Sequence, residues 1–239
     1  MKNWYLLLSG FALFLVIVSH SSICYGQDEP DSTEVTEGKN TRMDISFGFG
    51  KNCNLNTFQW AKFWGLGESK SLNLGGGFRL NNFNYKDLRY YKRGTDESGF
   101  TEFNASGRVF AVNIMLSAEY LWNNKIGIGG NIDLVGFSIG VCNPSSDSSY
   151  SFKGEAGTFN PGTTPGRLGA EPTGLNVLLG PNKDQGCLNS EIYGVIKLKK
   201  RTWLKIGYSH VFSEVQLNQT EDRYGNYSNV YFVGLRWKY

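Results

Sequence analysis

Between Met43 and Tyr239 the chain is built of segments in which every second side chain is apolar. Met43, Ile45, Phe47 and Phe49 alternate with Asp44, Ser46 and Gly48, and Leu72, Leu74, Gly76, Phe78 and Leu80 alternate with Asn73, Gly75, Gly77 and Arg79. The clearest run sets Phe110, Val112, Ile114, Leu116, Ala118, Tyr120 and Trp122 against Ala111, Asn113, Met115, Ser117 and Glu119. A period of two marks a strand whose faces meet different surroundings. Asn123-Asn124-Lys125 then turns the chain into Ile126 to Val141, where the apolar phase changes parity after Leu134. That slip predicts a bulge, or an aromatic cluster above a membrane. Leu188 to Lys199 and Trp203 to Val215 form another pair around Lys200-Arg201-Thr202. The final segment sets Tyr231, Val233, Leu235, Trp237 and Tyr239 against Phe232, Gly234, Arg236 and Lys238. Counting back, one further strand must lie between Asn54 and Leu66, with Phe58, Trp60 and Trp64 outward and Lys62 sharing their face.

The pattern predicts an all-β, eight-stranded antiparallel up-and-down barrel spanning residues 42–239. Short turns near 67–70, 123–125 and 200–202 lie at one end, and the connections 51–54, 86–106, 142–187 and 217–227 at the other. A soluble barrel would show the same alternation with its apolar face inward and a Lys- and Glu-rich face outward. Here the polar faces carry Gly, Ser and Asn with about one charge per strand, which suits a narrow interior packed with side chains. Trp64, Tyr120, Trp122, Trp237 and Tyr239 gather where strands end, as an aromatic girdle at a membrane interface does. The expectation is therefore a transmembrane barrel with short periplasmic turns and long extracellular loops.

Composition and the N-terminal region sharpen this. Residues 1–26 carry one early Lys and a single short apolar run, followed by small residues up to Gly26, which predicts a secretory signal peptide. Cys24 follows Ile23, a poor lipidation context. Residues 27–41 hold five carboxylates and little to bury, so a disordered acidic lead-in is expected. Beyond Gly26 no apolar run reaches the length of a membrane-spanning helix, so an embedded mature chain must cross with closed β-structure. Losing Lys2 reduces the formal charge from +3 to about +2, giving no indication of nucleic acid binding.

Gly234, Trp237 and Tyr239 match the Gly-to-terminal-aromatic spacing of the C-terminal assembly signal of bacterial outer-membrane barrels, with Phe232 where that signal has a polar residue. With its strand pattern and loop asymmetry, the chain resembles the small OmpA-like and OmpX-like outer-membrane barrel superfamily and the exported barrels of Bacteroidota. The resemblance implies integral residence in the bacterial outer membrane, contact with its lipid and lipopolysaccharide, and delivery by the barrel assembly machinery, as a monomer. It carries no catalytic motif.

By parity, Asp44, Glu119, Asp133 and Glu191 should face Arg79, Lys197, Lys205 and Arg236 in the lumen, as a salt-bridge plug or, less simply, an ion path. Cys142 and Cys187 bracket the longest loop, and an oxidising compartment favours a disulfide between them, leaving Cys53 over. Neither a metal site nor a cofactor is expected, because that loop has no His and the Cys spacing does not suit zinc. His210 is the sole His of the mature chain, with Phe212 where a deacylase-type His-x-Ser pair needs Ser. Gly65 to Ser71 fails the phosphate-loop pattern at Ser69. These readings favour a non-enzymatic barrel that acts in envelope structure, or binds an extracellular ligand through its loops. The alternatives are a lipid A deacylase-like enzyme and a narrow solute channel.

Overall fold

The computed structural model describes residues 40–66, 71–93, 102–122, 125–144, 170–179, 184–217 and 222–239. Residues 1–39, and with them the expected signal peptide and acidic lead-in, lie outside the described residues, as do the turn at 67–70 and the loop segment 145–169 with Tyr150, Phe152 and Phe159. The strands are β1 (Thr41–Gly50), β2 (Cys53–Leu66), β3 (Leu72–Lys92), β4 (Glu102–Trp122), β5 (Ile126–Pro144), β6 (Ala170–Pro172), β7 (Leu175–Val177), β8 (Cys187–Lys197), β9 (Thr202–Leu217) and β10 (Arg223–Lys238). Each long strand pairs antiparallel with the next, β5 passes to β8, and β10 returns to β1 from Val230 to Lys238. Eight long strands thus close on themselves, so the section in which β5 pairs with β8 has no free edge of the kind that hydrocarbon would penalise.

The segment between Asn54 and Leu66 is a regular strand, with Cys53, Leu55, Thr57, Gln59, Ala61 and Phe63 buried inside and Trp60, Lys62 and Trp64 exposed outside. The expected bulge in β5 is present: Ile114 faces Val135 and Met115 faces Asp133, so Leu134 is the extra residue and the inward parity changes beyond it.

Loop lengths differ from expectation in three places. The 51–54 connection is a two-residue hairpin turn at Lys51-Asn52, Asn52 taking a left-handed φ of 61° that Asn tolerates. Most of the 86–106 connection is sheet, since β3 and β4 stay paired as far as Tyr91 and Glu102. Part of the 142–187 connection folds back into the wall, β6 bridging β5 to β9 and β7 pairing with β5. Backbone groups left by a splaying sheet at β5 and β8 need partners, and these two short strands supply them.

Because β1 and β2 end at their tight turn, β3 and β10 meet directly above them, Tyr224 facing Lys92 and Gly225 facing Tyr91. Above the eight-stranded section the wall therefore continues as a ring of β3, β4, β5, β6, β9 and β10.

Burial is inverted relative to a water-soluble protein. Ile45, Phe47, Phe78, Ile114, Leu116, Ile128, Ile192 and Ile206 are exposed on the outer wall, whereas Asp44, Gln59, Arg79, Asn113, Glu119, Asp133, Glu191, Lys205 and Arg236 are buried inside. Such an apolar wall costs little only in contact with lipid. Leu116 is 50% exposed and the adjacent Ser117 5%. Leu116→Arg is expected to destabilise bilayer folding by about 2–4 kcal/mol, and Ser117→Ala by much less. Urea titration in lipid vesicles reads both, and equal penalties would reverse the assignment of inside and outside.

Candidate functional site

The barrel interior is stratified, with a charged lower layer and an apolar upper one. At the bottom, Arg236 of β10 donates to both carboxylate oxygens of Asp44 at 2.7 and 2.8 Å, and also to Glu119. Arg42 donates to the other oxygen of Glu119, and its guanidinium lies 3.7 Å above the Phe63 ring. Phe63 reaches the interior because Gly75 has no side chain: a Cβ there would lie 2.8 Å from the ring. One step higher, Lys205 sits 3.3 Å from Asp44 and donates to Glu191 at 2.9 Å. Gln59 and Asn131 add amide donors to Glu191 at 2.8 and 2.9 Å.

Above these, Arg79 pairs with Asp133 at 3.0 Å and lies 3.5 Å from Glu191. Asp133 also accepts from Asn113 at 2.7 Å, from the Asn189 backbone at 3.0 Å and from Asn81 at 3.2 Å. Asn176 of β7 reaches in through the gap between β5 and β8, donating to Asn113 and accepting from the Cys187 N–H. Arg42, Asp44, Arg79, Glu119, Asp133, Glu191, Lys205 and Arg236 therefore each meet an opposite charge, as they must where an unpaired buried ion costs several kcal/mol. A gap lined by Arg42, Asp44, Gln59, Phe63, Met115, Asn131 and Arg236 is too narrow to seat a water molecule.

The upper layer is apolar. Leu55, Phe83, Tyr85, Tyr90, Phe103, Val109, Val215, Leu217, Tyr224 and Val230 pack there as one buried cluster. Tyr90 stacks on Phe103 at 5.8 Å between centroids, Phe103 meets Tyr224 edge-on at 4.9 Å, and the Tyr90 and Ser213 hydroxyls share a 3.1 Å hydrogen bond. These rings fill the upper section that β3 and β10 close.

Of the eight charges expected in the lumen, Asp44, Arg79, Glu119, Asp133, Glu191, Lys205 and Arg236 are buried and joined as above. Lys197 is not among them. It has inward parity but occupies the last position of β8, past the rim, and is exposed. Arg42 takes its place, and the parity of Asp44 extended back by two residues points to it.

The expected disulfide is not formed. Cys142 and Cys187 are both free and buried, as is Cys53, and all three belong to the upper apolar cluster. The change of parity at Leu134 turns Cys142 inward with Gly140, and Cys187 shares the inward parity of Asn189 and Glu191, so neither stands at an exposed loop base. Gly234, Trp237 and Tyr239 lie on the seam with β1, Gly234 opposite Ser46 and Trp237 opposite Met43, with the Tyr239 N–H bonded to the Thr41 carbonyl. A Cβ at Gly234 would meet the Ile45 carbonyl at 2.4 Å.

His210 is on the outer wall, its Nδ1 2.8 Å from the Asn229 amide oxygen and its ring stacked 5.2 Å from Tyr227, while Ser209 and Ser213 are buried inside. That arrangement holds the imidazole between β9 and β10 and gives it no nucleophile among these neighbours. Among the described residues no cluster of His, Cys, Asp and Glu could hold a metal.

A closed ring of eight antiparallel strands with lipid-compatible side chains outside decides the architecture. The chain has the fold of a small, closed antiparallel β-barrel with an apolar outer wall. No protein-family model and no curated protein sequence matches it. Among solved structures it is similar to Neisserial surface protein A, at 8% identity and a TM-score of 0.38 over 84% of this chain and 95% of that one. The attachment invasion locus protein Ail of Yersinia pestis gives 10% identity and a TM-score of 0.36 over 85% and 100%. The toluene transporter TbuX of Ralstonia pickettii gives 6% and 0.22 over 84% and 90%.

Two measurements probe the interior. Arg236→Met strands Asp44 and Glu119 with one cation fewer and is expected to destabilise the barrel by about 3–5 kcal/mol. The Asp44→Asn/Arg236→Met double variant should lose clearly less than the sum of the singles in vesicle unfolding titrations; strict additivity would deny the coupling. The buried thiols should resist maleimide in the folded barrel and react after unfolding without reductant, read by mass spectrometry. Peptides joined through Cys142 and Cys187 would show the opposite.

Proposed function

We propose that this protein is an integral barrel of the bacterial outer membrane that neither conducts solutes nor catalyses a reaction, and that serves the envelope as a rigid scaffold for its outer connections. The observation that carries this reading is the filled interior, an aromatic layer over a paired charge network, which among the described residues leaves no route for a solute. Small barrels fill in this way because eight strands enclose little more than their own side chains. A channel reading would need an aqueous lumen, and a deacylase-like reading would need a base beside a nucleophile at the membrane edge. Asn229 and Tyr227 occupy that place beside His210.

In this reading the rim that carries Thr41 and Tyr239 faces the periplasm. The extended β3–β4 hairpin and the connection after β5 then stand outside the cell, where residues held on a rigid frame are best placed to meet a ligand. Outer-leaflet lipopolysaccharide surrounds the upper wall, and the Gly234, Trp237 and Tyr239 strand serves the assembly machinery as its signal. The protein works as a monomer, its sheet being closed and its charges satisfied within one chain.

The deciding experiment is planar-bilayer recording. Purified barrel, shown to be folded by heat-modifiable gel migration, is expected to give no conductance steps in concentrated potassium chloride. Discrete steps from the folded protein, absent from a mock preparation, would restore the channel reading.

A further inference from the structure

The lower mouth of the lumen sets two cations face to face. Arg42 of β1 and Lys238 of β10 are Cα partners across the closing seam, in a register unbroken from Gly50 opposite Val230. Both have inward parity, Arg42 with Asp44 and Lys238 with Arg236. Like charges directly opposite one another on one face of a sheet repel. The neighbouring carboxylate of Glu119 is already engaged by Arg42, by Arg236 and by the Tyr193 hydroxyl. Lys238 carries its ammonium 3.8 Å over the Trp203 ring, in the field of Arg42, Arg236 and Lys197 as well as of Glu119.

Two buried donors lie at the same mouth without an acceptor. Arg42 is 2% exposed: its Nε donates to Asn40 at 3.1 Å and its Nη1 to Glu119, while Nη2 has no partner among the described residues. Trp203, also 2% exposed, leaves its indole N–H unmatched among them. An indole so deeply buried ordinarily donates to something, and a buried donor without an acceptor is costly. These groups occupy neighbouring inward positions on β1, β10 and β9: Trp203 faces Arg236 across β9 and β10, as Arg42 faces Lys238 across β1 and β10. Lys238 is half-buried, so the mouth is open to water, whereas the gap farther in is too narrow for a water molecule. The result is a shallow cup with cationic and N–H donors and a closed floor.

We propose that this cup is an oxyanion site that takes one phosphate group, held by the Lys238 ammonium, the free edge of Arg42 and the Trp203 N–H. A tetrahedral oxyanion supplies both missing features at once: negative charge between the facing cations, and acceptor oxygens for a planar guanidinium edge and an indole donor. The proposal goes beyond the scaffold reading and does not depend on it, since the lumen wall forms the cup whichever way the barrel is oriented. With the lower mouth facing the periplasm, the phosphate group comes from a free phosphate or from the headgroup of an inner-leaflet lipid. The same donors serve either source.

The test labels the mature full chain with fluorotryptophan and folds it in uncharged micelles, with folding verified by heat-modifiable migration. The Trp203 fluorine resonance is assigned by its loss in Trp203→Phe. Sodium phosphate, titrated against sodium chloride at constant ionic strength, is expected to move that resonance saturably. Lys238→Gln should weaken the affinity about tenfold, a charged hydrogen bond being lost, and Lys238→Arg should restore it. In chloride alone Lys238→Gln should unfold at the same temperature as the wild type or higher, because the facing cations are relieved; a less stable variant would make Lys238 a structural partner and overturn the proposal. A second arm replaces free phosphate by phosphatidic acid in the micelle. Whichever probe saturates at the lower phosphate concentration identifies the source, and either result upholds the site. A Trp203 resonance that neither probe moves, or that moves equally in Lys238→Gln, overturns it.

Discussion

An eight-stranded barrel has no room for bulk water, so an ionised side chain that faces inward needs an opposite charge within the chain. That constraint organises the whole molecule. The lower interior answers it with Arg42, Arg79, Lys205 and Arg236 against Asp44, Glu119, Asp133 and Glu191, cross-linked by Gln59, Asn113 and Asn131. The upper interior answers it by being apolar, its few hydroxyls and thiols set among rings. The ion pairs run between strands: the Arg236–Glu119 contact joins β10 to β4, and Arg79–Asp133 joins β3 to β5. The network thereby specifies register as well as neutrality, since a one-residue slip would send each charge to the lipid face.

Strand existence was legible because alternation is a direct imprint of two unlike solvents on the two faces of a sheet. The lumen charges followed from parity, and parity erred only where a strand ends. Lys197 has the correct phase but no wall beyond it to confine it, whereas Arg42 precedes the first apolar residue of the alternation, Met43, and so has no apolar neighbour on its N-terminal side to mark its phase. The cysteines illustrate a second limit. Their spacing along the chain suggested a loop closure, yet the extra residue at Leu134 turns Cys142 into the barrel, a consequence the phase change carried.

Connections were the least legible part, because sequence separation does not reveal how much of a loop rejoins the sheet. Residues 170–179 contain no alternation long enough to announce a strand, yet β6 and β7 complete the wall where β5 and β8 diverge. Asn176, buried at 0% exposure, closes that gap with hydrogen bonds no local pattern could have signalled. The 86–106 segment likewise continues the β3–β4 ladder through polar residues, since above the hydrocarbon layer an outer face need not be apolar.

The double engagement of β10 bears on the order of events in assembly. Its lower part pairs with β1 and its upper part with β3, while β9 holds the opposite edge throughout. β10 thus cannot be fully seated until two much earlier strands have already taken their relative positions. Closure is a two-point latch: engagement with β1 alone leaves the aromatic layer open at the top, and engagement with β3 alone leaves the charges at the bottom in solvent. An intermediate with a single point fastened therefore retains an exposed weakness at one end, which sets completed barrels apart from half-closed ones without any further marker.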